Sequence, residues 1–210
     1  MSRNQSIAVA GLIAIVAIAA GMLLARSLMG GNGSAQLGLA RATLLTPPRP
    51  LPAFDLVDQS GTPFGPERLK NRWSLLFFGF THCPDVCPTT LGMLAQMEKI
   101  LANMPNDRKP QVVFVSVDPK RDTPQQLASY VKFFSPSFTG VTGTSDAIDD
   151  FTRALGVPVA ISPANNGDYT VDHSAAIFLI DPNGAMRALF STPHVASIIA
   201  DDYRRIVEAG

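Results

Sequence analysis

Ser74–Phe80 reads SLLFFGF and runs straight into Thr81–Pro88, THCPDVCP. Seven uncharged residues without period-two alternation predict a strand buried on both faces. Pro88 suits the first turn of a helix, and Leu91, Leu94, Ala95, Met97, Ile100 and Leu101 keep near-helical spacing as far as Pro105. The segment between strand and helix therefore sits at a strand-to-helix junction. On α/β sheets that is where functional residues gather.

The same alternation extends outward. LPAFDLVDQSGTPF, residues 51–64, reads as two short strands around a turn at Gln59–Gly61. Gln111–Asp118, QVVFVSVD, is a second buried strand. Thr123-Pro124 opens a helix toward Phe134, and Ser145 is expected to cap another reaching about Leu155. Tyr169–Val171 is expected to pair with Val159–Ile161. Ala175–Ile180 is a third buried strand, and after a turn at Asp181–Gly184, Ala185–Phe190 is its hairpin partner. A last helix covers Val195 to about Glu208. Strands alternating with helices and closing in a hairpin and helix describe an α/β fold, a mixed sheet flanked by helices in thioredoxin-like order. There is no internal repeat and no glycine-rich phosphate-binding fingerprint.

Composition excludes whole classes of function. With 46% hydrophobic and 16% charged residues the 210-residue chain can bury an ordinary core, so global disorder is ruled out. Seventeen basic residues balance seventeen acidic ones, leaving no long-range field to draw the chain onto nucleic acid. Residues 7–25, IAVAGLIAIVAIAAGMLLA, carry no charge over the length that spans a bilayer, about twenty residues at ~1.5 Å each. A cleavable signal has a shorter apolar core with small residues close behind it, so an uncleaved anchor is expected. The expected organisation is a membrane anchor over 1–26, a Gly/Pro-rich flexible linker over 27–49 and a folded domain over 50–210. Arg3 before the run and Arg26 and Arg41 after it do not decide orientation by charge count.

Cys83 and Cys87 are the only cysteines, with three residues between them at the junction. Near a helix N-terminus the free N–H groups and partial positive charge favour thiolate over thiol, so either cysteine could be a nucleophile or a metal ligand. The spacing leaves three uses open: a structural disulfide, a redox-active pair and a metal site. Thioredoxin-type oxidoreductases place two residues between their cysteines, not three. His173, in YTVDHSAAIFLID, directly precedes the third buried strand. If neighbouring strand ends in a parallel region lie side by side, His173 meets the cysteine loop although eighty-six residues separate it from Cys87. A lone histidine there is otherwise a structural residue. Asp172 is placed beside it as an orienting group.

FGFTHCPDVCPTTL at 78–91, VSVDPKRDTP at 115–124 and YTVDHSAAIFLIDPNG at 169–184 together resemble the Sco (SenC) family of copper-binding assembly factors for cytochrome c oxidase. The resemblance spans residues 50–208. It implies that Cys83, Cys87 and His173 bind copper, as Cu(I), Cu(II) or both. It further implies a metallochaperone that delivers the ion to, or helps mature, the copper A site of the oxidase. The implied partners are oxidase subunit II or its assembly factors, a copper donor protein, and the membrane through the N-terminal helix. The implied location is the inner (cytoplasmic) membrane with the globular domain in the periplasm, or the mitochondrial inner membrane facing the intermembrane space. The ligand chemistry agrees: thiolates select soft Cu(I) and an added imidazole suits Cu(II), whereas iron–sulfur clusters need more thiolates and structural zinc a fourth ligand.

The main rival is a thiol-disulfide reductase that keeps the oxidase copper-site cysteines reduced, with Cys83 and Cys87 as the redox pair. A thiol peroxidase is a third reading. His82 is expected to project away from Cys83 into a local hydrogen bond, and His194 to lie at the surface or a helix start. Met93 and Met97 fall on the apolar stripe of the first helix as core residues. Asp118 and Asp122 are expected to shape a loop, with no catalytic part.

Overall fold

The computed structural model describes residues 15–18, 20–22, 37–163 and 168–209. The chain divides into two units, Met1–Gly38 and Leu39–Gly210, and every described strand belongs to the second. Its strands are β1 (Ala42–Pro50), β2 (Leu56–Asp58), β3 (Pro63–Phe64), β4 (Ser74–Gly79), β5 (Gln111–Ser116), β6 (Thr139–Thr142), β7 (Val159–Pro163), β8 (Tyr169–His173), β9 (Ile177–Ile180) and β10 (Ala185–Phe190). Its α-helices are α1 (Val86–Ile100), α2 (Pro124–Phe134), α3 (Ser145–Leu155) and α4 (Ala196–Ala209). Eight strands form one sheet in the order β1-β10-β9-β4-β5-β6-β2-β3, and β7 and β8 form a separate hairpin.

β4 lies at the centre because all six of its side chains are apolar or small enough to bury on two faces. β5 runs parallel to it, with Gly79 opposite Ser116. β9 runs antiparallel on the other side, with Phe77 opposite Ile177. Alternation then sorts the side chains. Leu76, Phe78 and Phe80 join Val113, Val115, Phe178 and the apolar side of α3 in one core. Gly79 faces the side that carries α1, which packs on α2 and α4. Local chemistry sets the helix ends. Thr123 caps α2 by accepting from the N–H of Gln126, with Pro124 at the first helical position. α3 is capped by Thr144, one residue before the expected Ser145, and stops at Gly156 in the left-handed conformation (φ 75°).

Two strands depart from expectation. β1 occupies residues expected as linker, because its prolines read as breakers. β1 pairs only with β10, at the edge of the sheet, where missing N–H donors are tolerated. The buried Asp202 carboxylate fastens its start, accepting from the backbone N–H of Ala40, Arg41 and Ala42 at 2.8, 2.7 and 2.8 Å. β6, TGVT, is too short and too glycine-rich to signal a strand, yet it extends the parallel run beside β5. The expected anchor at 1–26 lies mostly outside the described residues. Its described parts, 15–18 and 20–22, are helical and expose Ile15, Val16, Ile18 and Met22. Among the described residues no helix is long and apolar enough to cross a membrane.

Candidate metal centre

The cysteine loop leaves the end of β4 and enters α1, so Cys87 falls in that helix's first turn. Its Sγ is drawn against the backbone of β4 at Gly79, where an added Cβ would lie 2.6 Å from it and 2.7 Å from the Phe114 ring. Only glycine permits that approach. Asp122 fixes the other end of the loop. Fully buried, it accepts from the N–H of Thr81 at 2.9 Å, the Thr81 hydroxyl at 2.6 Å and the Ser116 hydroxyl at 2.6 Å.

His173 arrives for a different reason than expected. β9 is antiparallel to β4, so the start of β9 lies beside the end of β4. A parallel partner would have presented its start at the far end of the sheet. His173 closes β8 just before β9 begins, and its Nε2 stands 3.4 Å from Cys87 Sγ. Its Nδ1 lies 3.0 Å from the Ser174 carbonyl oxygen, which can only accept, so Nδ1 carries the proton and Nε2 keeps its lone pair. The rings of Phe77 and Phe80 flank the imidazole edge-on, at 6.2 and 5.9 Å between centroids.

The ligand atoms of Cys83, Cys87 and His173 all lie within 4.8 Å of one another, and among the described residues they are the one such group. Two sulfurs at about 2.3 Å from a shared ion are at most about 4.6 Å apart, so one ion is reachable with small side-chain shifts. Both cysteines are free. They are not equivalent: Cys87 is fully buried, whereas Cys83 is partly exposed in a cleft of about 240 Å³ lined by Phe80, Pro84, Val86, Val171 and His173. Burial pushes the Cys87 thiol far above its usual range, and the neighbouring Cys83 pushes it the same way. The thiolate expected from the helix terminus is therefore not the resting form of Cys87, because loss of water outweighs the partial charge of the helix. Burial also lowers the pKa of His173, against the opposing influence of Ser174 and Asp172, which suits a neutral imidazole.

Other candidates stand apart from the group. His82 Nδ1 lies 3.1 Å from the Thr81 hydroxyl. His194 is half-buried at the Phe190 carbonyl. Met93 and Met97 are core residues of α1. Asp118 accepts from Arg121 and from the Tyr169 hydroxyl at 2.6 Å. Sequence reasoning missed Phe77 and Gly79 of β4 and Phe80 just beyond its end. The signal was the glycine that interrupts FFGF just before the first cysteine.

A thioredoxin-like α/β domain with two thiols and an imidazole converging at the end of its central strand defines the class of protein. Residues 45–208 match the SCO1/SenC family, and the chain belongs to it. The chain is 40% identical over 162 residues to a Stutzerimonas stutzeri protein, covering 76% of this chain and 78% of that one. It is 44% identical over 133 residues to the SCO2-like protein RC0895 of Rickettsia conorii, covering 62% of this chain and 64% of the relative. Among solved structures it resembles Arabidopsis thaliana ScoI with copper bound, at 34% identity and TM-score 0.72, covering 76% of this chain and 98% of that one.

Proposed function

We propose that the chain takes up one copper ion on Cys83, Cys87 and His173 and passes it to the copper A site of cytochrome c oxidase. Membership of a family with a copper-bound member supports the metal. The observation that carries the reading is the His173 imidazole, locked through Nδ1 to Ser174 with its Nε2 lone pair turned on the cysteine pair. Two soft thiolates hold Cu(I), and the nitrogen adds affinity for Cu(II), so the site suits a carrier that meets both states. Three protein ligands leave a position open toward the cleft for exchange. The exposed Ile15, Val16, Ile18 and Met22 support anchoring by residues 1–26, and the outer face of the membrane is the side the family resemblance implies for the domain. Resistance of the full chain to alkaline carbonate washing is expected, and full release into the wash would remove the anchor.

The test is His173→Ala. Cu(II) affinity is expected to fall ten- to hundred-fold or more, Cu(I) affinity less, and disulfide formation between the cysteines to persist. Cells carrying the variant are expected to lose oxidase activity and recover part of it with added copper. Unchanged Cu(II) binding would take His173 out of the site.

One observation favours a second reading, in which the pair reduces the oxidase copper-site cysteines. Cys83 is accessible and Cys87 buried beside it, as an attacking and a resolving thiol would be. Normal oxidase assembly in His173→Ala despite lost Cu(II) binding would put this reading first.

A further inference from the structure

The strand that delivers His173 belongs to a hairpin outside the main sheet, and a two-stranded hairpin is marginal on its own. Besides Val171, which is buried in the core, and Tyr169, which packs against it, β8 is held by a cluster around Arg121. The Arg121 guanidinium lies 3.8 Å from the centroid of the Tyr169 ring and 5.6 Å from that of Phe80. Its Nε donates to the Asp118 carboxylate. Its Nη1 donates to Asp168 Oδ1 at 2.9 Å and to the Tyr169 carbonyl oxygen at 3.0 Å. The Tyr169 hydroxyl closes the ring by donating to Asp118 at 2.6 Å. Tyr169 opens β8 and His173 ends it, while Phe80 meets the His173 imidazole at 89°. Arg121 thus reaches His173 by two routes without touching any of the three grouped residues.

We propose that Arg121 is a positioning residue of the metal centre: by clamping the start of β8 and lying over Phe80, it holds the His173 imidazole on the cysteine pair. The inference rests on the copper reading for its affinity test, and on the clamp geometry alone for its metal-free test. A planar fork that sits over one ring while donating to Asp118, Asp168 and the Tyr169 carbonyl is a task for guanidinium. A lysine ammonium keeps the charge but cannot reproduce that arrangement.

Arg121→Met and Arg121→Lys are therefore both expected to lose Cu(II) affinity ten- to hundred-fold, the range for residues that orient a ligand, with a smaller loss for Cu(I). The nitrogen superhyperfine pattern in the Cu(II) paramagnetic spectrum should weaken. In a His173→Ala background, Arg121→Met should change Cu(II) binding no further, since the residue acts through His173. In the metal-free protein the His173 ring-proton resonances, shifted by Phe77 and Phe80, should move toward their unstructured values. If Arg121→Met proves too unstable to study, Tyr169→Leu removes the clamp from the hairpin side with the same expected results. Wild-type Cu(II) affinity and wild-type His173 resonances in these variants would overturn the proposal, as would full additivity with His173→Ala. Should His173→Ala itself leave Cu(II) binding intact, the copper reading fails, and the metal-free resonances alone decide whether Arg121 positions the ring.

Discussion

Gly79→Ala tests whether the close approach of Cys87 to β4 sets the geometry of the site. The new methyl would stand 2.6 Å from Cys87 Sγ and 2.7 Å from Cε2 of Phe114, where ordinary contacts are about 3.5–4.0 Å. Neither neighbour can swing into solvent, since both are fully buried. Sulfur or ring must therefore move by about 1 Å. Crowding of this kind costs about 1–3 kcal/mol in a packed core. For a folded unit of this size that lowers the melting temperature by about 2–12 °C. The effect on the proposed site is sharper, because metal–ligand distances tolerate only about 0.2 Å. Copper affinity should drop at least ten-fold for both valences, in contrast to His173→Ala, which lowers Cu(I) affinity less than Cu(II). Gly92→Ala is the control: it lies in α1 with nothing within 4 Å of the added carbon, and should leave copper binding alone while stabilising the helix by ~0.5–1 kcal/mol. Competition titrations with Cu(I) and Cu(II) chelators and thermal melts of all three proteins supply the readouts. Wild-type affinity and melting temperature for Gly79→Ala would show that Cys87 is not held against β4.

Two further outcomes follow from the same geometry. On the proposed ligand set, copper uptake would have to displace the Cys87 proton, so apparent affinity should rise with pH and proton release should accompany binding in weak buffer; pH-independent affinity with no release would contradict the buried-thiol assignment. The same shift has a stability sign. The folded state holds the Cys87 proton more tightly than the unfolded chain, so its contribution is intact below the ordinary value of 9.0 and is lost as pH rises above it. Metal-free protein should therefore weaken in alkaline denaturant titrations. Asp122→Ala would leave the Thr81 N–H and two hydroxyls without their acceptor, and should destabilise the fold by about 2–4 kcal/mol in urea unfolding; a loss under 1 kcal/mol would mean that water replaces the carboxylate.

Much of this architecture was legible in the sequence because burial and period coincide. SLLFFGF and QVVFVS are uniformly apolar or small, and β4 and β5 are the centre of the sheet. The hairpin partner of β9 followed from turn chemistry, and the pairing of β7 with β8 was expected from the two apolar stretches themselves. β1 and β6 escaped for opposite reasons. β1 is held by one distant carboxylate and an edge pairing, neither of which leaves a local signal, and β6 is four residues long. The three ligand candidates could be named from motif and resemblance, but their convergence could not be derived. It depends on β9 running against β4, and strand direction is a property of the assembled sheet, which no local pattern encodes.

That direction also explains why the site is asymmetric. A parallel neighbour would have needed a crossover helix to return the chain to the same end of the sheet. The antiparallel β9 instead starts where β4 stops, so the residues just before it hang over the cysteine loop as a hairpin tied down through its own Tyr169 by Arg121. Cys87 is thereby built into the sheet-and-helix core, while Cys83 lies in the cleft beneath the hairpin and His173 is carried by the hairpin itself. An ion held by this set would have one rigid ligand, one solvent-facing ligand and one on a separately anchored arm. If the chain passes its ion on as proposed, release to an acceptor would have a physical order. Cys83 is the thiolate an incoming ligand can reach. His173 is carried by the hairpin and could be withdrawn only by giving up its contacts with Phe77 and Phe80. Cys87 would be the ligand fixed to the core, and its burial, which favours the thiol, would help reprotonation complete the release.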